Sequence, residues 1–179
     1  AGGYSSKINR CSIKDIMDIS NKELHRIVTT AIIHKDAKYL ITRRSLDKIA
    51  FPGKWTVPGG GLSVDDYINT PPTSPNIWYF ALENVLRREI LEEVGLEIEK
   101  ISYLLDLVLI RPDQTKVLTL SFYAPYKSGE VKLNDESIAH AWVSFEEAKK
   151  YDLIGGILEE IEMTDRILKG EDPSEVKFK

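Results

Sequence analysis

The chain has 179 residues, 42% of them hydrophobic and 29% charged, which is ordinary for a soluble protein and favours one globular domain with a core of its own. A net charge of −4 offers no general attraction to polyanions, so a nucleic-acid polymer is not expected as a partner. The single cysteine, Cys11, excludes an intramolecular disulfide and suits a reducing compartment. The absence of a long apolar run or signal-type segment points to a cytoplasmic protein with no membrane partner. The start, Ala-Gly-Gly-Tyr-Ser-Ser, has no initiator Met and is given no functional weight.

In chain order, an N-terminal segment of residues 1–24 precedes a domain expected over 25–170, with a tail at 171–179. Arg26 to His34 and Tyr39 to Arg43 are rich in β-branched and aliphatic residues, and read as a hairpin around Lys35-Asp36-Ala37-Lys38. Phe51-Pro52-Gly53-Lys54 is a turn, and Trp55-Thr56-Val57 is a short strand that runs into Pro58-Gly59-Gly60-Gly61. Ala81 to Val94 is a helix in which Leu82, Leu86, Ile90 and Val94 form the packing stripe, and Gly95 supplies a left-handed C-cap. Glu97 to Ile110 and Lys116 to Tyr126 read as strands joined by a turn at Arg111-Pro112-Asp113-Gln114. Val131 to Leu133 and Ala139 to Val143 are two further short strands. Ser144 and Glu147 have capping-box spacing, and Gly155 to Lys169 has the pattern of a terminal amphipathic helix. Strands and helices thus alternate in an α/β arrangement with a mixed sheet.

The helix carries Glu89, Glu92 and Glu93, three carboxylates at steps of three and one. At roughly 100° per residue these fall on one face, where like charges need a neutralising Arg or a hard divalent cation. Glu-rich helix faces are commonly solvated surface, so the surrounding residues decide the reading. Arg88 stands directly before the first carboxylate, Gly95 and Leu96 follow the last, and the glycine loop lies upstream.

Together these residues resemble the box of the Nudix hydrolase family, the MutT-like pyrophosphohydrolases of nucleoside diphosphate derivatives. Arg88, Glu89, Ile90, Glu92, Glu93, Gly95 and Leu96 fit every fixed position of its second half. The first half departs from the pattern. Gly60 lies 28 residues before Arg88 (88 − 60) where the pattern has 14, so 14 residues (28 − 14) are inserted. Counting back from Arg88 reaches Phe80 in place of a Glu, whereas counting forward from Gly60 reaches Asp66, a stand-in for the missing acid. The insertion, about residues 67–79, contains Pro71, Pro72 and Pro75 and reads as an extended surface loop ending in Trp78-Tyr79-Phe80.

The resemblance implies an α/β/α sandwich with a mixed central sheet, and Mg²⁺-dependent hydrolysis of a diphosphate linkage, with Mn²⁺ as a substitute cation. It implies metal ligands at Glu89, Glu92 and Glu93 and the Gly59 carbonyl, with Arg88 orienting a catalytic carboxylate. It also implies a further acid at Glu136, with Glu89 and Glu136 as alternatives for the general base and Asp135 as a competitor for Glu136. Arg44 and Gly60 are expected at substrate phosphate, while Phe51, Trp55 and Trp78 are candidates for stacking on a nucleobase, although aromatics are more often core. Arg87 occupies a variable position and reads as surface. His25, His34 and His140 lack zinc-ligand spacing, and Gly59-Gly60-Gly61 is no P-loop. The expected partner is a small nucleotide: a nucleoside triphosphate, ADP-ribose or a related nucleotide sugar. A homodimer through the insertion or the C-terminal helix is open. A non-catalytic nucleotide-sensing module is the alternative, and a prenyl diphosphate isomerase is more distant because Cys11 precedes the core.

Overall fold

β1 (Arg26–Lys35) and β2 (Lys38–Arg44) form the expected hairpin in the computed structural model, which describes residues 24–178. Cys11 lies outside the described residues. The two turn residues, Asp36 and Ala37, both have left-handed backbone, with φ of 50° and 57°. A two-residue hairpin needs that conformation because its twist matches the strands it joins. β3 (Trp55–Thr56) pairs with β2, and β4 (Gly59–Gly61) pairs with the first half of β1.

A short helix α1 (Asp65–Ile68) opens the insertion, and α2 (Ala81–Val94) is the helix of the carboxylates. Leu86, Ile90 and Val94 are buried as the spacing requires, but Val85 joins them while Leu82 is only partly buried. A strict four-residue stripe drifts about 40° per step around a helix, so its far end leaves the core. Gly95 ends α2 at φ 69°, its N–H donating to Leu91 O at 3.0 Å.

The single strand expected over Glu97 to Ile110 is divided into β5 (Glu97–Ile98) and β6 (Ser102–Ile110), both antiparallel to β7 (Lys116–Ser128). The break lies beside Pro125, which has no N–H to give the ladder; Glu99 N–H still donates to its carbonyl at 2.9 Å. Residues 131–133 form no strand. They cross the end of α2, where Lys132 and Asn134 N–H groups donate to the carbonyls of Val94 and Glu93 at 2.9 and 3.2 Å. These are among the carbonyls that a helix leaves without internal partners. Arg87 does more than lie on the surface, since it reaches the carbonyls of Ile98 and Glu99 and ties β5 to α2.

β8 (Ser137–Val143) pairs with β2, and the reciprocal capping box of Ser144 and Glu147 starts α3 (Phe145–Ala148). α4 (Ile157–Leu168) is the final helix, and the tail beyond it buries Val176. β1 runs parallel to β7, whereas the other pairings are antiparallel, so the eight-stranded sheet is mixed. α2 covers one face over Ala31, Ile33 and Leu40, and α4 covers the other over Ile32, Tyr39 and Ile41. No helix among the described residues is long and apolar enough to cross a membrane. One topological detail positions the site. β1 pairs β4 through Val28–Thr30 but β2 through His34 and Lys35, so the sheet parts between β2 and β4.

Candidate active site

A cavity of about 450 Å³ opens at this parting, with Arg44 at the end of β2, Gly59, Gly60 and Gly61 from β4, and Glu89 and Glu93 from α2. Glu136 reaches it from the loop before β8. The glycines are required by contact. A Cβ on Gly60 would lie 2.1 Å from the Glu89 carboxyl carbon, and one on Gly59 would lie 2.1 Å from the Thr29 carbonyl oxygen. The loop therefore lies directly against the carboxylates and the β1 backbone.

Glu93 is held by the Gly59 N–H, which donates to its Oε2 at 2.9 Å. Burial raises its pKa to about 7; Gly59 and Arg44 oppose the rise, and the neighbouring charges of Glu136 and Glu89 add to it. Arg44 is held below its ordinary pKa by burial, with Glu93 and Glu136 pulling it back up and Arg111 pushing it down. Its Nε donates to the Ala50 carbonyl at 2.9 Å, which fixes the guanidinium at the cavity wall. Glu136 forms an ion pair with Lys48 at 2.6 Å. Asp135 is exposed and does not line the cavity.

Arg88 binds three carboxylates at once. Its Nε donates to Asp66 at 2.7 Å, its Nη1 to Glu92 at 2.8 Å and its Nη2 to Glu89 at 2.9 Å. Burial works against its charge, but Glu89, Glu92 and Asp66 outweigh it and raise its pKa. Asp66 is the acid reached by counting forward from Gly60, and its second oxygen accepts from Ser63 N–H at 2.6 Å. Phe80, reached by counting back, is 76% exposed in a left-handed conformation at the start of α2.

The structure brings Glu89, Glu93, Glu136, Arg44, Gly59 and Gly60 to one cavity, and leaves other candidates outside it. Glu92 is on Arg88 at the outer side, with its side chain 57% exposed. Trp55 packs edge-on against Tyr151 at 4.8 Å in the core under α4, and Phe51 sits in its turn at φ 53°. Trp78 lines a second, neighbouring cavity formed by the insertion. Arg26, Lys48 and Arg111 are cations of the carboxylate cavity that sequence reasoning missed. The turn at Arg111-Pro112 was legible, but nothing in its spacing tells that its arginine comes back to β1.

Arg26, Arg44, Lys48 and Arg111 share this cavity with Glu89, Glu93 and Glu136 and with Asp47 and Asp113, and such a mixed lining can hold a polyanion together with a hard cation, because each charge set needs the other. Among the described residues, no three His, Cys, Asp or Glu side chains form a group that could hold a metal ion by itself. Mg²⁺ commonly needs none, since it takes one or two carboxylates and completes its shell with water and substrate phosphate.

Comparison with known proteins agrees with this arrangement. The NUDIX domain model matches residues 24–161. The chain is 30% identical over 138 residues to the nucleoside triphosphatase NudI of Escherichia coli, covering 72% of this chain and 88% of that one. Its fold is similar to the MutT protein of Methanosarcina mazei Go1, with TM-score 0.61, 27% identity and coverage of 84% and 99% of the two chains. It is also similar to the NUDIX domain of Shewanella oneidensis NrtR complexed with ADP ribose, with TM-score 0.65, 17% identity and coverage of 87% and 97%. The chain therefore belongs to the Nudix family, as an enzyme of the Nudix pyrophosphohydrolase type.

Proposed function

We propose that the protein hydrolyses the diphosphate linkage of a nucleoside diphosphate derivative with Mg²⁺ bound among Glu89, Glu93 and Glu136. The observation that carries this reading is the convergence of those three carboxylates with Arg26, Arg44, Lys48 and Arg111 on one cavity. The carboxylates fit a hard divalent ion by donor type. Glu93 in particular is a partly buried acid whose pKa of about 7 reflects desolvation and two like-charged neighbours, the condition a divalent cation relieves. Glu92 lies one residue before Glu93 on the outer side, and it would join the set only by leaving its ion pair with Arg88. The Gly59 carbonyl is a further proposed ligand. A bound divalent cation would neutralise the diphosphate oxygens and acidify the attacking water.

The chain's own groups do the rest. Arg44, fixed by Ala50, would hold a phosphate through its remaining N–H groups. Glu89 or Glu136 would take the proton from the water that attacks phosphorus, and the leaving phosphate departs with the bridging oxygen. Arg88 keeps Glu89 aimed at the cavity, and Asp66 supplies the anchor that the interrupted box lacks at Phe80. The products are a nucleoside monophosphate and a second phosphorylated group. NudI is named for nucleoside triphosphates and the NrtR domain was crystallised with ADP ribose, so both substrate classes belong in the test panel. Turnover by the parent and its loss in Glu93→Gln and Glu89→Gln, under saturating Mg²⁺, is the expected result; a Glu93→Gln enzyme with parental turnover and Mg²⁺ dependence would sink the assignment.

A further inference from the structure

The cavity walled by the insertion, about 770 Å³, is larger than the one with the proposed catalytic carboxylates. It lies between the insertion and the first turns of α2, with Tyr67, Trp78 and Tyr79 on one side and Asn84 and Val85 on the other. The insertion that walls it is a built structure. Trp78 Nε1 donates to the Thr70 carbonyl at 3.1 Å, the Tyr67 and Trp78 rings sit 5.4 Å apart at 56°, and Tyr79 N–H donates to the Thr73 hydroxyl at 3.3 Å.

Its charge selects against phosphate. From Trp55 to Leu86 the sequence has no Lys, Arg or His, and Asp65 and Asp66 of this stretch line the cavity. The one cation of the wall, Arg88, already has all three guanidinium nitrogens on carboxylates. An anion entering here would meet carboxylates and no available positive charge, whereas a neutral ring meets aromatic faces and acceptors such as Asp65. The two cavities also lie along one stripe of α2. Val85 lines the insertion cavity and Glu89 the carboxylate cavity, and four helical residues span about 6 Å.

On the reading of the carboxylate cavity as the diphosphate site, we propose that the insertion cavity is the subsite for the uncharged nucleobase of the substrate. Phosphates go to the Arg26, Arg44 and Arg111 side, and the base stacks at Trp78 across the Asp66–Arg88 pair. Carboxylate acceptors at its rim favour bases with an exocyclic amine, as in adenosine, guanosine and cytidine, over uridine.

The test is ligand-observed NMR of the four free nucleosides against the full chain, with inorganic pyrophosphate and Mg²⁺ as competitor. The amino nucleosides are expected to bind, uridine more weakly, and pyrophosphate is not expected to displace them. Trp78→Ala should weaken binding about tenfold or more through lost stacking. Asn84→Trp changes an exposed helix position, keeps the insertion's own contacts and should block the cavity. Stabilisation by pyrophosphate with Mg²⁺ reports that each variant is folded. No nucleoside binding, displacement by pyrophosphate, or unchanged affinity in a folded Asn84→Trp protein overturns the subsite. Nucleoside binding needs no turnover, so its failure beside intact hydrolysis refutes only the subsite, and its success without hydrolysis refutes only the diphosphate reaction.

Discussion

Replacing Glu93 by Gln removes a charge that the fold tolerates poorly without a cation, and should stabilise the protein while abolishing turnover. The rise of the Glu93 pKa from 4.5 to about 7 corresponds to about 3 kcal/mol at 1.36 kcal/mol per pH unit. The folded state binds this proton more tightly than the unfolded chain. The associated stability is therefore fully present below pH 4.5, declines as pH rises and is lost above about pH 7. Gln keeps an acceptor for the Gly59 N–H but has no proton to lose, so it escapes the decline. In EDTA at pH 8 the variant should melt higher by on the order of 5–10 °C, since 1 kcal/mol moves a domain of this size by about 2–4 °C. The gain should shrink toward zero near pH 5. Added Mg²⁺ should raise the melting temperature of the parent by binding the native state, and that of the variant much less. Thermal denaturation across pH 5–8, with and without Mg²⁺, tests all three points. A variant no more stable than the parent at pH 8 in EDTA, or equally stabilised by Mg²⁺, would refute the electrostatic reasoning.

Gly60→Ala should lower kcat by about a hundredfold with the fold retained, because its Cβ would lie 2.1 Å from the Glu89 carboxyl carbon and displacing a catalytic group by about 1 Å costs rates of that order. Gly155→Ala, which meets nothing within 4 Å, is the steady-state kinetic control. Asp66→Ala should lower kcat/KM by roughly ten- to hundredfold by freeing Arg88, with Asp66→Glu recovering part of the loss; equal rates in all three proteins would remove Asp66 from the site. Ala37→Gly should stabilise the protein by about 0.5–1 kcal/mol, read by denaturant unfolding, since Ala37 has φ of 57° and only glycine takes that conformation without a steric cost.

The parts of this molecule that were legible in the sequence are those with local causes. Runs of β-branched and aliphatic residues gave the hairpin and helix periodicity gave α2, while Gly95 and the Ser144 capping box marked ends that the structure reproduces. The carboxylate cluster and Asp66 could be read because a helix turn and a counted spacing place them. What could not be read depends on distant chain. Arg26, Lys48 and Arg111 meet only after the sheet forms. Residues 131–133 have a strand's composition but satisfy the end of a helix, and Trp55 looks like a ligand-stacking aromatic until Tyr151 is found against it. The insertion was legible as an interruption with aromatic residues and no positive charge, but its cavity emerges only once Trp78 and Thr70 are paired across the loop.

Hydrolysis of a diphosphate with Mg²⁺ at the cavity of Glu89, Glu93, Glu136, Arg26, Arg44, Lys48 and Arg111 is the reaction proposed for this protein. Its most direct test is incubation of the protein with a panel of nucleoside triphosphates, ADP-ribose and related nucleotide sugars under saturating Mg²⁺, with every product identified by mass. For at least one substrate, a nucleoside monophosphate and a second phosphorylated product are expected, formed by the parent and lost with EDTA or Glu93→Gln. Tight nucleotide binding with no product from any member of the panel would contradict it.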